Sequence, residues 1–213
     1  AAKLIAHYGF DKTTVSDIAK EANISKGAVY LHFDSKDELF EALLIREMEI
    51  YSERWLELLE SDPRGGTIGA MYKNTLYALN ESPFMTAMFK QDGRVLGSYL
   101  RKPDNFFQKQ QEHNARFNFV KMMQDIGSMR KDIDANVVAH IMDMLAYGLV
   151  SMEEIKDTKH IPPTDDIIEG IAEIMDKALT LPDSDKEAGL EIIRQIMSAA
   201  RQQLDNANKS ANT

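Results

Sequence analysis

Thr14–Lys36, TVSDIAKEANISKGAVYLHFDSK, is the stretch that decides the fold. Thr14 offers a hydroxyl that can accept a hydrogen bond from the first turn of a helix. Asp17, three residues on, puts a carboxylate near the positive end of that helix. Val15, Ile18, Ala19 and Ala22 fall at i, i+3, i+4 and i+7, which makes one narrow apolar face. Ala19 is small where two crossing helices must approach closely. Asn23-Ile24-Ser25 reads as the turn: Asn23 tolerates the left-handed conformation that ends a helix, Ile24 is expected to plug the corner from beneath, and Ser25 can cap the next helix. That second helix is read from Lys26 to His32, with Val29 and Phe33 inward and Lys26, Gly27, Ala28, Tyr30 and His32 left towards the outside or the ends. Ser35 and Glu38 then form a capping box for a third helix.

Two short helices joined by a three-residue turn have the chemistry of a helix-turn-helix, whose second helix enters the major groove of DNA. An ordinary helical hairpin would need neither the small residue at the crossing nor so short a second helix rich in phosphate-capable donors. The wider run GFDKTTVSDIAKEANISKGAVYLHFDSKDELFEALL closely resembles the DNA-binding domain of tetracycline-repressor (TetR) family regulators, matching G-F…T-T-V-x-x-I-A…I-S-K-G-x-V-Y-x-H-F-x-S-K-x-x-L. The resemblance covers about the first 46 residues. Asn23 stands where the family usually has glycine. The chain opens at Ala1-Ala2-Lys3-Leu4-Ile5, so the resemblance implies that the family's basic arm and the first turn or so of its first helix lie outside this sequence.

At 213 residues the chain has room for a small domain and a larger one, and its 44% apolar and 28% charged content is ordinary for a soluble globular protein. Cysteine is absent, which excludes a disulfide framework and thiolate chemistry. No run approaches a membrane span and no signal peptide is visible, so no membrane partner and a cytoplasmic location are expected. The net charge of −9 is unusual for a DNA binder, but it is unevenly placed. Lys3, Lys12, Lys20, Lys26, Lys36 and Arg46 nearly balance Asp11, Asp17, Glu21, Asp34, Asp37, Glu38 and Glu41, so residues 47–213 hold almost all the excess. An acidic body repels phosphate, and DNA should meet only the N-terminal end.

Beyond the head almost every segment has helical periodicity, and the fold class is all-α: a three-helix DNA-binding domain over 1–46, then a larger helical ligand-binding and dimerisation domain over 47–213. The pattern predicts helices from Glu38 to about Leu59, Thr67 to Asn80, Ser82 to Lys90 with Pro83 in its first turn, Asn105 to about Ile126, Asp134 to about Lys156, and Asp165 to Leu179 capped by Thr164. A last helix runs from Lys186 to Leu204, with Leu190, Ile193, Met197, Ala200 and Leu204 on its apolar face and a frayed tail beyond. Residues 91–104, with two glycines and a proline, read as irregular.

Val138, Ile141, Leu145 and Leu149 on one helix, with Ile167, Ile171, Ile174 and Met175 on the next, form broad apolar faces. They suit either a monomer core or a dimer seam. The family resemblance implies the seam, because its last two body helices usually pair with their symmetry mates, and a homodimer reads a palindromic double-stranded operator. Methionines and aromatics gather after residue 47 and suit either plain core or an adaptable apolar cavity. Trp55, Met88, Phe89, Phe106, Phe107, Phe117 and Tyr147 are the candidates for lining a site for a small apolar or amphipathic ligand, with 91–104 as its mouth.

The five histidines, His7, His32, His113, His140 and His160, are scattered. His140 and Asp143 are more simply a local hydrogen bond than a metal pair. No catalytic or phosphate-loop motif is present, so neither enzyme activity, cofactor nor metal is expected. Thr14, Ser25, Lys26, Gly27, Ala28, Tyr30, His32 and Lys36 are the expected DNA contacts, with Lys26, Gly27 and Ala28 nearest base edges and the others on phosphates. The resulting expectation is a ligand-responsive, homodimeric transcriptional regulator, most simply a repressor. The alternative is a helical ligand-binding or protein-interaction module whose helix-turn-helix serves assembly, which the acidic balance favours.

Overall fold

Local capping chemistry sets most helix starts. Helix α1 is Ala2–Tyr8 and α2 is Val15–Glu21, capped by Thr14. Helix α3, Lys26–Tyr30, is capped by Ser25, and α4 is the long Lys36–Ser61. Then come α5 (Ile68–Asn80), α6 (Pro83–Lys90, capped by Ser82), the short α7 (Gly93–Leu96), α8 (Phe106–Gln111) and α9 (Ala115–Asp125). Helices α10 (Ala135–Ile155), α11 (Thr164–Leu179) and α12 (Lys186–Ala211) complete the order. The computed structural model describes residues 1–103, 105–111, 115–155 and 158–211, with side chains described throughout except at 109–111, 153–155, 158 and 199–211. Among the described residues there is no strand, only an isolated antiparallel bridge between Met129 and Thr180.

Several boundaries differ from the sequence reading. The helix expected over 105–126 is described as α8 and α9, with 112–114 outside the described residues, as is His113. Segment 91–104 is largely helical: Asp92 caps α7 through the Arg94 N–H, and a 3-10 turn covers Gly97–Arg101. Thr164 does not cap α11, whose N-cap is Pro163 without a side-chain bond. Helix α12 continues to Ala211 instead of ending near Leu204, and the side chains of Ala200 and Leu204 lie outside those described. The window Ala135–Met152 reaches a mean hydropathy of 1.3 over 18 residues, so by length and composition α10 could cross a membrane, contrary to expectation. That window carries His140 and Asp143, and 33% of it is buried.

The chain divides into two compact units, Ala1–Tyr51 with Leu79–Asn114, and Ser52–Ala78 with Ala115–Thr213. The first has two apolar cores. Val15, Ile18, Ala19, Val29 and Leu39 make the core beneath the helix-turn-helix, with Leu4 and Phe33 against it. Ile5, Phe10, Phe40, Leu44, Phe84, Met88, Leu96 and Tyr99 make the other. Leu39 and Phe40, adjacent on α4, serve one core each. Phe40 is fully buried, with ring centroids 4.9 Å from Phe10 and 4.7 Å from Tyr99, so truncating it to alanine should cost about 3–5 kcal/mol.

Two glycines lock residues 9–11 of this unit to residues 94–98. Gly9 sits at φ 85, and a Cβ there would stand 2.6 Å from the Arg94 carbonyl oxygen; the next N–H, of Phe10, donates to Val95 O at 2.6 Å. Gly97 sits at φ 52, where a Cβ would meet the Asp11 carboxylate at 2.3 Å. Asp11 in turn accepts hydrogen bonds from the Ser98 hydroxyl and from its N–H at 3.0 Å.

In the second unit α9 packs on α10, and Met123, Val120, Val138, Met142, Ile168, Ala172 and Met175 are buried. The Tyr72 hydroxyl donates to Met142 O. A polar cluster ties the 62–69 turn to α11. Asp176 accepts from the Gly69 N–H at 2.6 Å and from the Thr67 hydroxyl at 3.1 Å, so the N-terminus of α5 is capped from a helix more than 100 residues away. Lys73 pairs with Asp62 at 2.6 Å and with Glu169 at 3.2 Å. Bonds from Lys73, the Arg64 N–H and Asn74 hold the Asp62 carboxyl below the usual carboxylate range, against the opposing effect of burial.

Candidate nucleic-acid interface

Thr14 and Asp17 form a reciprocal capping box at the start of α2. The Thr14 hydroxyl accepts from the Asp17 N–H at 3.2 Å and donates to its carboxylate at 2.6 Å, and the Thr14 N–H adds a bond of 2.9 Å. The hydroxyl contact is the chief reason the Asp17 carboxyl titrates below its ordinary range. Asn23 ends the helix at φ 55, the left-handed conformation its side chain was expected to tolerate. Two readings of the turn fail. Ile24 is 51% exposed and plugs nothing, and Ala22 is exposed as well, because no apolar segment of the chain covers the corner.

Ser25 caps α3 by accepting from the Ala28 N–H at 3.0 Å. Lys26 holds its ammonium 5.7 Å from the Tyr30 ring centroid, a cation–π placement that leaves both groups outward. Val29 is buried beneath, while Gly27, Tyr30, Leu31 and His32 are exposed. Leu31, which sequence reasoning passed over, is 83% exposed. It comes just after the last helical residue, where the 3.6-residue period places it on the outer face, and its exposure could have been read from the inward Val29 and Phe33. A shallow concavity of about 450 Å³ beside the turn is lined by Ser16, Ala19, Lys20, Asn23, Ile24, Ser25 and Lys26. Ser16 and Lys20 were likewise not singled out in the sequence.

Lys36 is placed differently from expectation. Its ammonium donates to Phe10 O and lies 4.0 Å from the Phe10 ring centroid, and burial pushes its pKa down. Ser35 accepts from the Glu38 N–H at 3.1 Å, while the Glu38 carboxylate reaches back one residue further than expected, to the Asp34 N–H at 2.6 Å.

The residues expected to line a ligand cavity divide between the two units. Met88 is buried in the aromatic core of the first, with Phe106 and Phe107 packed against that core, and Phe89 is half-buried. In the second, Trp55 donates to Met71 O at 3.1 Å, Phe117 is half-buried and Tyr147 is exposed. The expected dimer faces split too. Val138 and Met175 point into the core of their own unit, and Leu145, Leu149, Ile167 and Ile171 are half-buried. Ile141 and Ile174 are exposed, with Val137, Met144 and Tyr147 beside them in the exposed set. Asp143 pairs with Arg116 at 3.1 Å, whereas His140 faces outward.

A capped helix-turn-helix on an all-helical chain is the construction of a helix-turn-helix transcriptional regulator. Residues 1–43 match the model of bacterial regulatory proteins of the tetR family. The HTH-type transcriptional repressor KstR2 of Rhodococcus jostii is 30% identical over 158 residues, covering 70% of this chain and 74% of that protein. The chain spans about half or less of the length of several other curated relatives, among them an uncharacterized HTH-type transcriptional regulator of Haemophilus influenzae, 33% identical over 94 residues, which cover 42% of this chain and 48% of that one. In fold it is similar to the transcriptional regulator FadR of Bacillus subtilis in complex with stearoyl-CoA, at a TM-score of 0.60 and 16% identity over 83% of this chain and 94% of that one. The chain belongs to the TetR family of bacterial transcriptional regulators.

Proposed function

We propose that the chain is a homodimeric repressor that binds a palindromic operator and is released from it by a small apolar or amphipathic ligand. The observation that carries the reading is the outer face of α3, where Lys26, Gly27, Ala28 and Tyr30 stand on a helix packed from below through Val29, with His32 exposed just beyond its end. In this arrangement Lys26, Gly27 and Ala28 face the base edges, and Ser25, Tyr30 and His32 engage phosphates. Thr14 bonds Asp17 through its hydroxyl and holds the start of α2, whereas Lys36 spends one of its three N–H donors on Phe10 O and keeps others for phosphate.

The outward side chains of α10 and α11, Val137, Ile141, Met144, Tyr147 and Ile174, supply the dimer face. Positions 148 and 170 are glycines whose Cβ direction is open, which lets a second pair of helices approach closely. One α3 spans only a few base pairs, and two on a two-fold axis read a palindrome.

Because the fold neighbour FadR is complexed with stearoyl-CoA, a long-chain acyl-CoA is the first ligand class to try. Ligand and operator would oppose each other by a coupling of about 1–3 kcal/mol. Selection of bound duplexes from random DNA, and then gel shift with and without stearoyl-CoA, tests the reading. Enrichment of a palindrome and its release by ligand support it; failure to enrich any sequence would favour the assembly-module alternative that the net charge of −9 suggests.

A further inference from the structure

Side chains able to make paired hydrogen bonds to a base edge are arginine, lysine, asparagine and glutamine. Between Ile24 and His32 Lys26 is the one residue of this kind. Otherwise α3 presents an apolar floor. A Cβ built on Gly27 would meet only Ser25 Oγ, at 3.7 Å, so the surface there is open to close approach. Leu31 rises from the same face. Its N–H closes the final turn on Gly27 O at 3.1 Å, which sets its side chain one turn beyond Gly27 and three residues beyond Ala28. At 83% it is the most exposed large apolar side chain among the described residues, and it belongs to neither apolar core of its unit. A leucine so exposed on a helix that enters the major groove has one chemical counterpart there, the C5 methyl group of thymine.

We propose that Leu31 is a specificity-determining residue that reads a thymine methyl in each half-site, so that this protein recognises its operator by a methyl contact from Leu31 beside the polar contact from Lys26. The inference rests on the DNA-binding function proposed for the chain and deepens it. Leu31 lies on the same continuous helix face as Gly27 and Ala28, and duplex DNA is therefore the occupant that covers it.

The test takes the full chain and the operator it selects from random duplex DNA. Each thymine is replaced in turn by deoxyuridine, which removes only the methyl group. The expected result is one symmetry-related position per half-site where wild type loses about fourfold in affinity, the worth of one buried methyl group. Leu31→Ala should fold with an unchanged circular dichroism spectrum and bind the thymine and deoxyuridine operators equally well at that position. An unchanged deoxyuridine profile in Leu31→Ala, or selected sites with no thymine dependence, overturns the assignment while leaving DNA binding standing. If wild type enriches no sequence, the DNA reading itself falls and the assignment falls with it.

Discussion

Thr14 shows how one side chain can look like a DNA contact and act first as a fastener. Its hydroxyl both accepts from and donates to Asp17, so Thr14→Ala should lower stability by about 1 kcal/mol, measured by urea denaturation. Tyr30→Phe should instead leave stability unchanged and weaken binding to every duplex alike; a shift in sequence preference would contradict its place on phosphate. Asp62 gives a pH signature. Its carboxyl titrates lower in the folded protein than in the unfolded chain, so its contribution is fully present above the unfolded value and is lost as pH falls through the folded one. Asp62→Asn should therefore destabilise the protein by about 1–3 kcal/mol at neutral pH and flatten its loss of stability on acidification. Equal acid sensitivity in the variant would remove Asp62 from that role.

At the scale of elements, what could be read from sequence was what is decided within one turn. The caps by Thr14 and Ser25 and the left-handed Asn23 depend on groups three residues away or nearer, and they were legible. Ile24 and Val138 were misplaced for the opposite reason. Periodicity marks a residue as apolar without saying which neighbour will cover it, and that is settled by segments far off in the chain. Segment 91–104 looked irregular because part of what holds it lies near position 10, where the Phe10 N–H donates to Val95 O and Asp11 accepts from Ser98. Gly97 is there to clear the Asp11 carboxylate at a positive φ. Gly97→Ala should thus destabilise by more than about 1 kcal/mol, since strain and contact act together, and thermal unfolding would measure it.

For the whole molecule, family and fold class were legible because the helix-turn-helix is a contiguous motif. The faces expected to form a dimer seam could not be told from core in the sequence, since an apolar helix face reads alike whether a core or a second chain covers it. Met144 and Ile174 are 64% and 66% exposed, so Met144→Lys with Ile174→Lys should leave the fold intact. Sedimentation should give twice 24.1 kDa for wild type and half that value for the double variant, whose operator affinity should also fall. Wild-type affinity should decrease steeply with salt in proportion to the phosphates engaged, and a flat response would contradict DNA binding.

The pair of glycines at positions 9 and 97 also sets a rule for building hybrids. Family members invite exchange of their N-terminal heads, and position 46 is the obvious place to cut. A hybrid cut there would carry Asp11 and Gly9 without the carbonyl of Arg94, the glycine at 97 and the hydroxyl of Ser98 that are shaped to receive them. The portable unit is discontinuous, residues 1–51 together with 79–114, and a graft that keeps both pieces from one parent keeps the lock closed.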